Sequence, residues 1–151
     1  MAMTSYSDIV ELALHILKNY ELQNLIINDD MTTLVEIFTP YIKFAAGELD
    51  NANTTFTIND RDDTTHMFAT DLSDGQQLIV AKYCVIGFLE RETNDILQMK
   101  LHLQDGDFKT HAEKNNLEGK QNALFNLKEE IIYDVTRLGY KGFKWGGDIN
   151  V

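Results

Sequence analysis

Basic residues are scarce in this chain: 13 lysines and arginines stand against 24 aspartates and glutamates in 151 residues, a formal net charge of −11. So acidic a surface repels nucleic acid and anionic membranes at long range, which disfavours generic duplex binding. Cysteine occurs once, as Cys84, inside an apolar run. It cannot form an internal disulfide, which suits a reducing cytoplasm and a small buried hydrophobe. Proline also occurs once and glycine nine times, so long uninterrupted elements have room to form. No stretch approaches the roughly 18 consecutive apolar residues of a membrane helix. The opening Met1-Ala2-Met3-Thr4-Ser5 has no basic segment leading into an apolar one, so no secretory signal is expected.

Chemistry-bearing patterns are sparse too. His15, His66, His102 and His111 show no His-x-x-x-His spacing, and one cysteine rules out Cys-x-x-Cys, so no metal site is expected. Asn59-Asp60-Arg61-Asp62-Asp63 and Asp105-Gly106-Asp107 are the carboxylate clusters. Neither has the central glycine and closing glutamate of a calcium loop, and both read as solvated turns. No glycine-rich phosphate cradle follows a strand, and no serine sits in a nucleophile elbow. No catalytic residue and no cofactor are therefore assigned. The expectation is a protein that is not an enzyme.

What the chain does have is an ordinary core composition, 44% apolar and 10% aromatic, in a length of about one domain. Ser7 to Tyr20 places Ile9, Leu12, Ala13, Ile16, Leu17 and Tyr20 on one stripe, with Asp8 and Glu11 as a start signal, and predicts a helix. Leu22, Leu25, Ile26 and Ile27 extend it or form a short turn before Asn28-Asp29-Asp30. Thr33 to Leu49 is also helical in period, but Pro40 falls inside it. A kinked helix, or two short ones with Thr39 as the second cap, is expected. Residues 50–72 turn polar. Phe56 and Ile58, then Asn59–Asp63, then His66–Thr70 read as a β-hairpin.

The clearest signal follows. Ser73 and Gln76 form a capping box ahead of Leu78, Ile79, Ala81, Tyr83, Cys84, Val85, Ile86, Phe88 and Leu89. A helix apolar on more than one face is central or shared with a partner. The run continues to Leu103 and stops at Gln104-Asp105-Gly106-Asp107. A last helix, Asn116 to Leu138, carries Leu117, Leu124, Ile131 and Leu138 at sevenfold spacing, with Leu127 and Val135 between. Together these predict a mainly α fold: an antiparallel helical bundle over residues 1–138, with a small hairpin insertion at about 54–70. Leu78, Cys84, Phe88, Leu124, Leu127 and Ile131 are its expected core.

Residues 139–151 read as an extended C-terminal arm, because four glycines there lower helical propensity. Tyr140, Phe143 and Trp145, interleaved with Lys141 and Lys144, are candidate partner anchors. Stacking on single-stranded nucleic acid fits the same residues, but the overall acidity argues against it. An aromatic end folded onto its own helices is the plainer alternative.

Two stretches carry a resemblance. Phe68-Ala69-Thr70-Asp71-Leu72-Ser73-Asp74, followed by Leu78-Ile79-Val80-Ala81-Lys82-Tyr83 and Gly87-Phe88-Leu89, is similar to the centre of the head-to-tail adaptor (head completion) proteins of long-tailed bacteriophages. Leu103-Gln104-Asp105-Gly106-Asp107-Phe108-Lys109-Thr110-His111 resembles the acidic turn before their last helix, which Asn116-Leu117 then opens. The likeness spans about residues 30–138 and rests on apolar and turn patterns. It implies a structural virion protein, made in the bacterial host cytoplasm and located at the neck between head and tail. It also implies a homo-oligomeric ring of about twelve copies beneath the portal protein. Such a ring extends the DNA channel and docks a stopper or tail-completion protein, while DNA passes without specific binding. A competing reading from charge alone is an acidic inhibitor, immunity- or antitoxin-like, that covers a basic partner.

Overall fold

A computed structural model of the chain describes residues 3–22, 30–52 and 56–141. The fold is mainly helical with one small antiparallel hairpin, as the sequence predicts. The elements are α1 (Tyr6–Asn19), α2 (Met31–Asn51), β1 (Arg61–Asp62), β2 (Met67–Phe68), α3 (Asp74–Gln98), α4 (Asp105–Lys114) and α5 (Leu117–Lys141).

α3 is the hub, packed on α1, α2 and α5. Its breadth of apolar surface explains this: Val80, Ala81, Cys84, Val85 and Leu89 are fully buried. Ser73 caps it as expected, its hydroxyl accepting from the Gln76 amide at 3.2 Å while Gln76 Oε1 accepts from the Ser73 amide at 3.0 Å. Where α2 crosses α3, Gly87 lies so close to the Phe44 and Tyr41 rings that an added Cβ would meet Phe44 Cδ1 at 2.9 Å. Phe38, Tyr41 and Phe88 form an aromatic triangle at that crossing, with centroids 5.7–5.9 Å apart.

Local chemistry moves several boundaries from their expected places. α1 begins a residue early, capped at Ser5, whose amide donates to Asp8 Oδ2 at 3.0 Å, and not through Asp8 and Glu11. It ends in a Schellman turn: Glu21 adopts φ 58°, its amide reaches Lys18 O, and the Leu22 amide reaches Leu17 O. Leu22 is thus a buried cap contact and not an extension of the helix; Leu25, Ile26 and Ile27 lie outside the described residues. α2 is unbroken through Pro40. The ring faces solvent, where water can satisfy the Glu36 carbonyl that loses its amide partner. Thr39 does not cap a second helix; its hydroxyl donates to Val35 O at 2.7 Å within the first.

The hairpin turn lies a few residues later than expected, at Asp63–His66, with Arg61 and Asp62 in a strand. Asp62 Oδ1 accepts from the Thr64 and Thr65 amides, and His66 at φ 58° completes the reversal. The hairpin is no appendage. The Tyr6 amide donates to His66 O, the Phe68 amide to Thr4 O, and the Leu72 amide to Thr4 Oγ1 at 2.8 Å, so the segment before α1 is laced to it. Tyr6 and Phe68 are buried side by side beneath this clasp, with ring centroids 4.9 Å apart.

The stretch read as a turn at 105–107 opens α4 instead. Asp105 and Asp107 stand at its positive end and His111 and Lys114 at its negative end, both favourable to the helix dipole. α4 buries no residue fully. Asn116, at φ 51°, then links the two helices, its side-chain oxygen accepting from the Gly119 amide at 3.2 Å.

Candidate partner-binding surfaces

α5 runs antiparallel to α3, and the ion pairs between them show it. Lys120 meets Glu92 (3.5 Å), Lys128 meets Glu90 (2.8 Å), and Lys82 meets Glu130 (3.3 Å) and Asp134 (2.6 Å), so partners descend one helix as they ascend the other. Lys120 is itself buried. Burial works against the Lys82 ammonium, yet the hydrogen bond and charge of Asp134, then of Glu130, outweigh it and hold its pKa above that of an ordinary lysine. Between these pairs Ala123, Leu127 and Ile131 face the core, with Leu124, Val135 and Leu138 partly buried beside them.

The opposite side of α5 is the more informative one. Phe125, Ile132 and Tyr133 are 64%, 68% and 65% exposed. Their i, i+7, i+8 spacing puts them on one stripe, roughly half a turn of the wheel from Leu127 and Ile131. Glu118 and Glu129 lie on that stripe, and the Arg137 guanidinium stands 5.9 Å from the Tyr133 ring centre. Heptad spacing pointed to the inner face. The outer stripe was present in the sequence as Phe125-x6-Ile132-Tyr133 and was missed because the heptad had already accounted for the helix.

A second apolar surface caps the far end of α3. Leu97, Met99 and Leu101 are exposed along its last turn and the 3-10 turn Met99–Leu101 that follows, Leu101 by 77%. Lys100 and His102 accompany them, with Lys100 Nζ 5.8 Å from the half-buried Phe108 ring. A groove of about 460 Å³ lies elsewhere, between the start of α3 and the end of α5, and includes Lys82, Asp134, Arg137 and Leu138 in its walls. Leu78, expected in the core, instead lines this open groove and is 38% exposed. Cys84, Phe88, Leu127 and Ile131 are buried as expected. Burial also pushes the Cys84 thiol far above its usual pKa, which leaves it inert.

Of the predicted arm, Tyr140 and Lys141 fall in the last turn of α5, which passes through Gly139 and ends three residues later than expected. One glycine costs about 1 kcal/mol in a helix, too little to end one of 25 residues. Phe143, Lys144 and Trp145 lie outside the described residues. His15 lies on α1, His66 in the hairpin turn, His102 after the 3-10 turn and His111 on α4, and among the described residues no three His, Cys, Asp or Glu side chains gather as metal ligands would. Among those residues, too, no helix is long and apolar enough to cross a membrane.

Comparison with protein-family models, with curated proteins and with solved structures returns no match for this chain.

Proposed function

We propose that this protein is an assembly component that acts by packing against other chains, and that it serves as a head-to-tail adaptor ring beneath a phage portal. The observation that carries the assembly part is the outer stripe of α5. Two aromatics and an isoleucine, each about two-thirds exposed, stand on the face opposite the one that holds the helix to its own bundle. Aromatic residues of this kind are the usual anchors of protein interfaces. The adaptor part rests on the likeness of residues 30–138 to that family. The charge of −11 is compatible with it, since a wall of that sign lets DNA pass without gripping it.

The test is a mass measurement of the purified chain, alone and with a portal protein. Comigration of many copies with the portal is the expected result. A chain that ignores the portal but forms a one-to-one complex with a basic protein would establish the acidic-inhibitor reading instead.

A further inference from the structure

The seam between α3 and α5 is filled by Ala123, Leu127 and Ile131 along its length and stands open at one end. Lys82 and Asp134 meet across it at 2.6 Å. One helical turn further on, Leu78 and Leu138 line opposite walls of the groove of about 460 Å³. Leu78 is 38% exposed there, although Ile79 and Val80 beside it are buried. Charge does not call for an anion, because Lys82 is already paired with Glu130 and Asp134. α5 ends at Lys141, three residues beyond Leu138, and the chain goes on as Gly142-Phe143-Lys144-Trp145. We propose that the segment 142–151 turns back at Gly142 and seats Phe143 and Trp145 in this groove against Leu78 and Leu138, a latch that the chain closes on itself.

Three features select that occupant. The turn has a precedent in the same molecule: after Leu17, Glu21 takes φ 58° and the Leu22 amide returns to Leu17 O, which buries Leu22. Leu138, Gly142 and Phe143 repeat that spacing, with glycine where the positive φ falls and an apolar residue where the buried contact falls. The reach is right, because three extended residues span about 10 Å, roughly two helical turns. That carries Trp145 back to the level of Asp134 and Leu138. The size is right as well. The groove is near the small end of the roughly 300–1,000 Å³ usual for a ligand site, room for one or two aromatic rings and not for a partner's helix. A partner that needed Leu78 would have to displace Trp145 first.

Trp145 is the only tryptophan in the chain, so the fluorescence of the full chain reads this segment directly. Wild-type emission should lie to the blue of free tryptophan and resist acrylamide. Dilution should change neither, since a contact within one chain does not depend on concentration. Leu78→Asp should move the emission to the red and restore quenching, with helical circular dichroism unchanged; Leu78→Ser gives the same reading if the aspartate disturbs α3. Cys84 is buried and inert, so a nitroxide can be placed at Gly75→Cys alone, where an added Cβ meets no other atom. It should quench Trp145, whereas one at the exposed Asn94→Cys, about 28 Å further along α3, should not. Emission and quenching like those of the free amino acid overturn the latch. So does protection that survives both Leu78 variants, or nitroxide quenching that is equal at the two positions. Protection lost on dilution overturns it too, and puts the segment on another copy. None of these readings involves a portal protein, so the latch and the assembly reading fail separately.

Discussion

The two faces of α5 have similar side chains and opposite surroundings. Leu127 and Ile131 lie against α3 with almost no exposed surface, whereas Phe125, Ile132 and Tyr133 stand in solvent half a turn away. Both stripes are apolar, so hydrophobicity alone does not say which one holds the fold. What separates them is the ion-pair border. Lys120, Lys128, Glu130 and Asp134 flank the inner stripe and each finds an opposite charge on α3. The outer stripe has Glu118 and Glu129, and neither forms a salt bridge among the described residues. α5 thus has one face closed by packing and ion pairs and one face left to solvent.

The largest break in that comparison is expected inside. Leu127→Ala should cost about 2–5 kcal/mol, since Leu127 is 1% exposed and the cavity cannot fill from solvent. Chemical denaturation measures it, and a loss under about 0.5 kcal/mol would mean that the inner stripe does not hold the bundle. Glu92→Ala comes next. It leaves the buried Lys120 ammonium without its carboxylate and should cost about 1–2 kcal/mol, below the figure for a fully buried pair because Glu92 remains a third exposed. Adding Lys120→Met should recover most of that loss; a double variant as unstable as Glu92→Ala alone would show that the charge is not the cause.

A site away from α5 supplies a scale for burial. Burial first, then the hydrogen bond and charge of Asp63, raise the pKa of Tyr6 well above that of a free phenol, the bond to Asp63 Oδ1 being 2.5 Å. A raised folded-state pKa contributes stability that is complete below the unfolded value and is lost as pH rises toward the folded one. Stability should therefore fall above about pH 10, the ordinary phenol value. Tyr6→Phe should cost about 1 kcal/mol at neutral pH and flatten that alkaline decline. An unchanged decline in thermal melts across this range would assign it to other groups. The smallest effect belongs to the outer stripe. Phe125→Ser should change the stability of the isolated chain by no more than about 0.5 kcal/mol, and a larger loss would show that Phe125 supports its own bundle.

Much of this architecture was legible in the residues. The Ser73–Gln76 capping box, the breadth of α3 and the seven-residue spacing of Leu117, Leu124 and Ile131 all led to the right helices. α4 was not legible by the same means, because with only Phe108 and Ala112 as apolar residues it has no stripe to read. Its charge order, acidic at the start and basic at the end, was the signal that remained. Pro40 left one helix or two open, and the single helix α2 decides between them, its exposed ring leaving the freed carbonyl to water. The candidate surfaces were hardest. Which of two apolar stripes is covered depends on the charges of a helix some forty residues earlier, and no window along α5 contains them.

The clasp of Thr4 on the hairpin has a consequence for the order in which a ribosome can let this protein fold. α1 is synthesised first, but its first turn is fastened by His66 O, and Thr4 is fastened by Phe68 and Leu72. Nearly half the chain must therefore leave the exit tunnel before this clasp can close, and although α2 emerges earlier to touch α1, the larger contact waits longer still for α3. During that interval the helix that carries Ile9, Ile16 and Leu17 lacks its largest neighbour, a stretch where a ribosome-associated chaperone would find its client.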